Sequence, residues 1–274
     1  MLRSMYSGIS GLKNFQTKLD VIGNNIANVN TFGFKKGRVT FKDMISQTVA
    51  GASEPGGGRG GVNPKQVGLG SQIAAIDTIQ TQGNLQTTGR ILDLSISGEG
   101  YFVVGESTTG SNIRNFSYTR AGNFYLDSNG DLVTGDGLYV VGGTPSTTNP
   151  GTKINIPTDA KDITIGSDGK VTYLDGSILR NAGQIALAKF PNSSGLQKSG
   201  ANLFQATTNS GVADYDFANV DGKGSIESGT LEMSNVDLSE EFTEMIVAQR
   251  GFQANTRIIT TSDEILQELV NLKR

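Results

Sequence analysis

The sequence predicts an α+β protein in which paired N- and C-terminal α-helices, similar to a coiled coil, flank a central antiparallel β domain that is sandwich-like or barrel-like. Two observations predict this class. Only five of the 37 glycines lie within residues 1–50 and one within 231–274, and all six prolines lie between those ends. Glycine and proline mark turns and are disfavoured inside helices, so two helical ends enclose a turn-rich centre. Helical and strand-like spacings of apolar residues then identify the elements in each part.

The terminal helices are predicted from apolar residues that recur in alternating steps of three and four, the spacing of a coiled-coil seam. The first row consists of Leu2, Met5, Ile9, Leu12, Leu19 and Ile26. The second row consists of Leu238, Phe242, Met245, Phe252, Ile259, Leu266 and Val270. Asp237, three residues before Glu240, is expected to cap the second helix. We call the two rows the assembly seam.

The two ends carry opposite charge. Residues 1–50 hold seven basic and two acidic side chains, whereas residues 231–274 hold four basic and eight acidic ones. Opposite charges beside two apolar rows favour pairing of the ends, either within one molecule or between neighbours. Two independently solvated helix faces are the alternative. Gly251 weakens an otherwise good helix, which indicates that another helix approaches closely at that position.

The length of the terminal helices limits their stability in a single molecule. One apolar row packed against one partner helix buries too little surface to offset the backbone entropy of so many ordered residues. Isolated helices also depend on tertiary packing for most of their stability. We therefore expect the ends to be frayed in the free subunit and to become ordered when many copies stack together.

The chain is predicted to divide into three parts. Residues 1–32 and 231–274 form a discontinuous helical assembly domain, 33–70 form a connecting segment, and 71–230 form a β-rich outer domain. The connecting segment is expected to hold a short helix, because Thr40 to Asp43 resembles a capping box and apolar residues follow at helical spacing. A glycine-rich loop over Gly51 to Gly61 is expected to follow it.

Short β-rich runs with close spacing predict the strands of the central domain. These runs are Leu92–Ile96, Tyr101–Val104, Asn123–Leu126, Leu138–Val141, Ile163–Ile165 and Gln184–Ala188. Two turn signals, Asn129-Gly130 and Asp168-Gly169, separate neighbouring runs. The pattern is typical of antiparallel hairpins.

Composition argues against several classes of function. The chain has no Cys and no His, which removes disulfides, thiolate metal sites and the commonest general base. Its net charge of −3 provides no basic field for nucleic acid. The N-terminus lacks the apolar core and cleavage site of a signal peptide, and no stretch is long and apolar enough to span a membrane. We therefore predict no nucleic-acid partner, no membrane insertion and export without a cleaved signal.

The chemical motifs in the sequence are weak. Gly98-Glu99-Gly100 leads into a strand rather than a helix, so a turn explains it better than a phosphate site. Asp127 to Asp131 has the alternating oxygens of a calcium loop, but Leu132 and Leu138 occupy positions that need Gly and Glu. We predict no catalytic residue, no metal site and no cofactor.

Four blocks of the sequence resemble those of bacterial flagellar rod and hook proteins. The blocks are Leu19–Lys36, Leu92–Val104, Tyr118–Asp127, and Ser234–Phe242 with its continuation Ala248–Asn255. They occur in family order and include both ends of the chain. The residues that carry the signature most clearly are Asn24, Asn25, Asn28, Asn30, Gly33, Gln249, Arg250 and Asn255.

The resemblance implies a structural subunit that is exported through the growing tube, polymerises with copies of itself and belongs to the extracellular flagellum. The segments Ser7–Leu12 and Asp263–Arg274 are more similar to the hook protein of Gram-positive bacteria than to the distal rod protein. The implied function is a flexible hook that transmits torque from rod to filament. The implied partners are further copies, rod proteins, the hook cap, hook–filament junction proteins and the export apparatus.

Two other functions remain open from sequence alone. The first is the distal rod protein of the same family, because the chain is short for a hook protein. The second belongs to another class, a secreted β-domain adhesin or glycan-binding protein whose helices form an oligomerising stalk. A curved polymer would indicate the hook, a straight polymer the distal rod, and a small oligomer with a saccharide site the adhesin.

Overall fold

The computed structural model describes residues 2–55, 60–109, 112–143, 151–176 and 178–272. Contacts between residues divide the chain into two compact units. The helical unit comprises residues 1–27, 37–78 and 237–274, and the β unit comprises residues 28–36 and 79–236. The chain therefore passes between the units four times. The α+β class predicted from the sequence is confirmed, with helices at both ends and antiparallel strands between them.

The helical unit contains two long helices, α1 (Leu2–Ala27) and α2 (Leu238–Leu272). They pack against each other in antiparallel orientation: Asn25 near the end of α1 bonds to Glu241 near the start of α2, and Gly8 lies beside Ile259. The prediction that the ends pair is confirmed, and the pairing occurs within one molecule. Asp237 Oδ1 accepts a hydrogen bond from the Ser239 backbone N–H at 2.8 Å, which confirms the predicted cap.

Four strands complete the helical unit: β1 (Gly37–Asp43), β2 (Ser46–Ala50), β3 (Lys65–Gly68) and β4 (Ser71–Thr78). β1 pairs with β4 and β2 pairs with β3, both antiparallel. The prediction of a short helix in this segment is therefore wrong. A four-residue capping box is a local signal, whereas the backbone groups of β1 bond to a strand about 30 residues away in sequence. Residues 56–59 of the predicted glycine-rich loop lie outside the described residues.

The β unit contains short strands joined by tight turns. In chain order they are β5 (Leu85–Thr87), β6 (Leu94–Ser97), β7 (Tyr101–Thr109), β8 (Asn112–Thr119), β9 (Phe124–Leu126), β10 (Leu132–Thr134), β11 (Tyr139–Gly142), β12 (Thr152–Lys153), β13 (Lys161–Ile165), β14 (Lys170–Asp175), β15 (Ile178–Gln184), β16 (Leu187–Lys189), β17 (Gln197–Gly200), β18 (Leu203–Gln205), β19 (Asp214–Asp216), β20 (Ser225–Ser228) and β21 (Thr230–Glu232). Each β-rich run predicted from sequence overlaps one or two of these strands. The turn signals are confirmed as well, since Gly130 and Gly169 have positive φ angles of 82° and 81°.

The main sheet of the β unit is buried on both faces. Its path runs β17-β18-β8-β12-β11-β7-β16-β19, with direct pairing of β7 and β8, and every pair in it is antiparallel. Alternate residues of β7 enter different clusters: Phe102 and Val104 pack into one, and Tyr101 and Val103 into the other. A smaller sheet, β13-β14-β15, contributes Val171 and other residues to the first cluster.

The units do not coincide with the parts predicted from sequence. Residues 37–70, predicted as a connecting segment, belong to the helical unit, and so do residues 71–78. Residues 28–32 and 231–236 belong to the β unit instead of the helical one. Within the described ranges, neither helix combines the length and apolar character needed to cross a membrane.

Candidate assembly surface

Small residues allow α1 and α2 to approach each other closely. Gly8 and Gly11 of α1 are buried against α2, and Ala248 is fully buried on the opposite side of the contact. A β-carbon built on Gly251 would stand 2.6 Å from Phe15 Cζ, so the Phe15 ring occupies the space that this glycine leaves. The close approach predicted at Gly251 is confirmed.

The contact between the helices also contains a regular polar row. Glu241, Asn255 and Ser262 lie at multiples of seven residues on α2, with the apolar Ala248 at the remaining position of the row, and each of the four is buried or half-buried. Asn255 lies against Gly11 and donates from Nδ2 to the Gly251 backbone carbonyl at 3.0 Å. Buried polar groups with fixed partners specify the register of paired helices better than apolar groups do.

Charge complements this packing at the end of α1. Lys18 forms an ion pair with Glu244 on the rim of the contact. Asn25 is 2% exposed and donates from Nδ2 to Glu241 Oε2 at 3.1 Å. The same amide accepts from the Gly37 backbone N–H and donates to the Gly37 carbonyl, both at 2.9 Å. One side chain therefore joins α1, α2 and β1.

The predicted assembly seam divides into two groups in the structure. Half-buried members are Met5, Leu12, Leu19, Ile26, Met245, Phe252, Ile259 and Leu266. Exposed members are Ile9, Leu238, Phe242 and Val270. The side chain of Leu2 lies outside the described residues. One molecule thus covers only part of the predicted rows.

The face of α1 that is most buried lies one position before the predicted row. Its residues include Gly8, Gly11, Ile22 and Asn25, which sequence reasoning passed over because two are glycines and one is polar. Counting apolar residues favours large side chains, whereas a close helix contact needs small ones. The glycines at three-residue spacing were the signal that could have identified this face.

The signature residues also differ in their positions. Asn25 and Gly33 are buried, Asn28 and Asn255 are half-buried, and Asn24, Asn30, Gln249 and Arg250 are exposed. Gly33 has a φ angle of +70°, and its N–H donates to the Glu232 backbone carbonyl at 2.8 Å. A β-carbon at Gly33 would stand 2.5 Å from the Ala121 backbone nitrogen, so no other residue fits there.

Many apolar side chains of the helical unit are exposed in one molecule. On the helices, besides the exposed seam members, they are Tyr6, Ile246, Val247, Ile258, Ile265, Leu269 and Leu272. On the strands they are Phe41, Val49, Val67 and Ile76, and next to the strands they are Met44, Ile45 and Val62. The β2–β3 ribbon is exposed along almost its entire length, and an isolated two-stranded ribbon is marginally stable in water.

The two units differ sharply in how many apolar side chains they bury. Among the described residues, the buried apolar side chains of the helical unit are Ile22 and Ala248, and all the others belong to the β unit. The β unit holds both hydrophobic clusters, one around Phe102 and one around Tyr118. The β unit is therefore complete on its own, whereas the helical unit leaves most of its apolar surface in water.

A buried group of charges lies in the β unit near the signature glycine. Glu232 is fully buried and pairs with both Lys35 and Arg120, which are also buried. Its Oε1 atom also accepts from the Gly83 N–H at 3.0 Å, and Lys35 Nζ donates to the Thr81 carbonyl at 2.8 Å. Burial lowers the pKa of Lys35, and attraction to Glu232 opposes that shift. The group fixes segment 33–36 within the β unit.

The described residues contain no cluster of three or more acidic side chains able to hold a metal ion. The Asp127 segment forms a hairpin turn: the Gly130 N–H donates to the Asp127 carbonyl at 2.8 Å, and β9 and β10 pair on either side. Polar groups at the α1–α2 contact bond to one another or to backbone.

Three family models match successive parts of the chain. Residues 5–35 match "Flagella basal body rod protein", residues 95–173 match "Flagellar hook protein FlgE/F/G D1 domain", and residues 227–272 match "Flagellar basal body rod FlgEFG protein C-terminal". These ranges overlap all four blocks that carry the resemblance in the sequence.

Individual relatives extend the similarity over the full chain. The chain is 61% identical to flagellar basal-body rod protein FlgG of Bacillus subtilis, over the full length of both. It is 39% identical to flagellar basal-body rod protein FlgG of Agrobacterium fabrum, covering 96% of this chain and 97% of the relative. It is 34% identical to flagellar hook protein FlgE of Borreliella burgdorferi, again covering both chains completely.

Proposed function

Because the chain belongs to the flagellar FlgE/F/G family of rod and hook proteins, a family of structural proteins rather than enzymes, we propose that it polymerises with copies of itself into the axial tube of the flagellum. It is a component of the bacterial flagellum, and the helical unit is the part that makes the contacts between copies. The β unit serves as the outer domain of the tube.

The observation that carries this proposal is the contrast between the two units. Among the described residues, the buried apolar side chains of the helical unit are Ile22 and Ala248. The exposed apolar side chains of this unit need further surfaces to cover them. The exposed apolar residues lie on both helices and on the β1–β4 and β2–β3 strands, so a single flat contact cannot cover them all. Several neighbouring copies around each subunit cover them, as in a helical polymer.

Contacts of this kind are heterologous, because different surfaces of two identical subunits meet. Heterologous contacts that do not close into a ring produce an open helical filament. The exposed seam members Ile9, Leu238, Phe242 and Val270 are the residues through which neighbouring helices pack. The helical ends become fully ordered when this packing forms.

Within the family, the distal rod is the first candidate position. It is favoured by the 61% identity, over the full length of both chains, with a protein named a basal-body rod protein. The hook, which the sequence favoured, is the second candidate. It is favoured by full-length matches to hook proteins of Borreliella burgdorferi and Treponema pallidum, although those alignments run over 447 and 472 residues and include segments that this chain lacks.

The partners follow from this position. Copies of the chain form the tube, and other rod proteins contact its ends in either position. The hook cap and the hook–filament junction proteins are the partners expected for the hook position. The export apparatus delivers the subunit beyond the cell without cleavage of a signal sequence. Low charge and the absence of a basic field fit passage of an extended chain and association with similar subunits.

Electron microscopy of the purified full-length chain under polymerising conditions tests the proposal. A tube with helical symmetry is the expected result, and a stable small oligomer with saccharide binding would favour the adhesin alternative instead. The shape of the tube decides between the two positions: a straight, stiff tube supports the distal rod, and a curved, flexible one supports the hook. A monomer at every concentration tested would contradict self-assembly.

A further inference from the structure

The hairpin formed by β14 and β15 ends in two exposed apolar side chains. Tyr173 of β14 packs into the first cluster and fixes the hairpin to the β unit. Towards the turn, Ile178 is 63% exposed and Leu179 is 66% exposed. Because neighbouring residues of a strand point to opposite faces, an apolar side chain stands in water on each face of the hairpin. We call Ile178 and Leu179 the hairpin tip.

The shape and charge of the hairpin tip determine what kind of surface covers it. A flat surface covers one face of a hairpin, whereas a concave surface covers both and removes more apolar area from water. The next residue, Arg180, is 56% exposed, and its Nε atom lies 2.9 Å from Asp175 Oδ2. An exposed ion pair of this kind is weak, so Arg180 can exchange Asp175 for another carboxylate at little cost.

A hollow of about 450 Å³ lies on a different hairpin of the β unit, formed by β9 and β10. Tyr125 and Val133 are directly opposite each other on the two strands and line the hollow, and Leu126 lies beside them. Gly135 and Gly137 form one wall, and a β-carbon on Gly137 would meet no atom within 4 Å. The Tyr125 ring is 44% exposed, so the hollow presents apolar and aromatic atoms to water. We call it the Tyr125 hollow.

The ring of Tyr125 is held in position by Arg90. The guanidinium carbon of Arg90 lies 4.5 Å from the centre of the ring. The Nη2 atom donates to the Phe124 carbonyl at 2.7 Å, and the Nη1 atom pairs with Asp93 at 3.1 Å. Tyrosine and arginine are enriched among the residues that contribute most to protein–protein binding, and side chains that are already ordered lose less entropy when a partner binds. The Tyr125 hollow is therefore preformed for a protein partner.

The rim of the Tyr125 hollow carries negative charge. Asp127 lines the hollow and is exposed, and Asp136 stands between the two glycines of its wall and is exposed as well. The positive charge of Arg90 is already paired with Asp93. An apolar hollow with an acidic rim is complementary to an apolar tip that has Arg180 beside it.

We propose that the hairpin tip of one copy of the chain inserts into the Tyr125 hollow of a second copy, with Arg180 beside Asp127 on the rim. The tip and the hollow are different surfaces of the same β unit, so the contact is heterologous and every copy inside an open polymer uses both. The inference rests on the proposed function, and it extends the contacts between copies from the helical unit to the β unit.

Cysteine cross-linking tests this contact directly, because the chain has no Cys of its own. A disulfide needs two β-carbons about 3.5–4.5 Å apart, so it forms only where tip and hollow meet. The double variant Leu179→Cys with Val133→Cys, polymerised and then oxidised, should give a ladder of covalent multimers on a denaturing gel, since each copy is linked to two others. Either single variant should give nothing larger than a dimer.

The pair Leu179→Cys with Val212→Cys is the matched control for cross-linking. Val212 is 86% exposed but does not line the hollow, so this pair should give no ladder. A ladder of equal intensity from the control pair would show non-specific oxidation and would overturn the inference.

Exchange of charges provides a second measurement. Arg180→Glu and Asp127→Arg should each raise the subunit concentration needed for tube formation about tenfold, because each places like charges together, and the two changes combined should restore it to within about threefold of the wild type. Arg114→Glu makes the same change of charge at an exposed position of β8 and should have no effect. Melting of each free variant should match the wild type, because the substituted residues are exposed.

The outcomes separate this contact from the proposed function. A wild-type chain that forms no tube contradicts self-assembly and, with it, the inference. Tubes that give no ladder from Leu179→Cys with Val133→Cys overturn the inference and leave self-assembly standing. Failure of the combined charge exchange to restore tube formation overturns the pairing of Arg180 with Asp127.

Discussion

The ring of Phe15 on α1 lies directly over the backbone of Gly251 on α2, where any β-carbon would come within 2.6 Å of its Cζ atom. This contact sets the local distance between the helices. It also explains why a helix-weakening glycine stands in the middle of α2, because a larger residue would push the helices apart.

Gly251→Ala should impair assembly more than it changes the fold of the β unit. The new methyl group collides with Phe15, so the α1–α2 contact must shift or open, whereas the clusters around Phe102 and Tyr118 are untouched. The measurement is the concentration of subunit at which tubes form, together with the melting of the β unit. An unchanged tube and an unchanged critical concentration would count against the role of this contact.

Gly23→Ala supplies the matched control for that variant. Gly23 also lies within a helix, but a β-carbon there meets no atom within 4 Å. Alanine is the better helix former by about 1 kcal/mol, so this substitution should stabilise α1 slightly. The pair of variants separates a steric effect from a change in helix propensity.

Gly33→Ala should destabilise the β unit strongly, by about 3–5 kcal/mol. The substitution combines a left-handed backbone with a close contact to the Ala121 backbone nitrogen. The Gly33 N–H is held by the Glu232 carbonyl, and the Ala121 N–H is held by Thr119 Oγ1, so neither backbone segment can move without losing a hydrogen bond. Gly89→Ala is the control, since Gly89 has a similar φ of +72° and open space around it, and about 1 kcal/mol is expected there. Urea unfolding measures both, and equal losses would show that the contact contributes nothing.

Phe242→Ser should prevent or weaken polymerisation while leaving the isolated subunit almost as stable as before. Phe242 is 50% exposed in one molecule, and substitutions at exposed positions usually change the free energy of unfolding by less than about 0.5 kcal/mol. Sedimentation measures the polymer, and thermal melting measures the subunit. Thr256→Ser, also exposed on α2, is the control that should polymerise normally. Normal tubes from Phe242→Ser would remove this residue from the interface.

Alkaline pH should unfold the β unit through its buried tyrosines. Burial raises the pKa of Tyr101 to about 12, and burial also raises the pKa of Tyr118 and Tyr215, whose hydroxyl groups share a 2.6 Å hydrogen bond. The unfolded chain loses these protons from pH 10, so stability that is complete below pH 10 falls as the pH rises towards 12. Tyr101 alone accounts for about 3 kcal/mol of this loss.

Chemical denaturation between about pH 10.5 and pH 12 measures this effect, and Tyr101→Phe should reduce the slope of stability against pH. Burial lowers the pKa of Lys35 and Lys198. The contribution of these lysines to the free energy of unfolding therefore rises with pH until the pH reaches 10.5, the ordinary pKa of lysine. Above that value the tyrosines decide the slope. A wild-type stability that stays constant across this range would contradict the assignment.

The terminal helices should exchange their amide hydrogens faster than the β unit in dilute free subunit. Their buried contact consists largely of glycine, alanine and polar side chains, so local opening exposes little apolar surface. Hydrogen exchange followed by mass spectrometry compares α1 and α2 with β7 and β8. The difference should disappear in the polymer. Equal protection in the free subunit would show that the helices need no neighbours.

Local patterns predicted the parts of the fold that local forces determine. The β-rich run Tyr101–Val104 predicted β7, and its continuous apolar character agrees with a strand whose two faces meet different clusters. Asn129-Gly130 identified a hairpin because glycine takes the positive φ there. The cap at Asp237 was predictable for the same reason, since the capping side chain and the bonded N–H are two residues apart.

Distant pairings explain what the sequence did not reveal. A short helix was predicted to start at Thr40 to Asp43, within β1, because the partner strand β4 follows only after β2 and β3 and leaves no local signal. Glu232 and Lys35 are 197 residues apart, so no periodicity connects them. The predicted apolar row on α1 lies one position away from the most buried face of the helix. Some side chains of the row are half-buried within the molecule and others, such as Ile9, remain exposed, so their spacing alone did not identify the buried face.

The order of elements along the chain has a consequence for timing. The helix α1 emerges from the ribosome first, and α2 is the last described element to be synthesised. In the folded chain α2 covers Phe15, Gly11 and Asn25 of α1. The β unit has all its strands before then, so it can fold on the nascent chain. If assembly uses the helical unit, as proposed above, a nascent chain that still lacks α2 also lacks part of the surface through which it joins its neighbours.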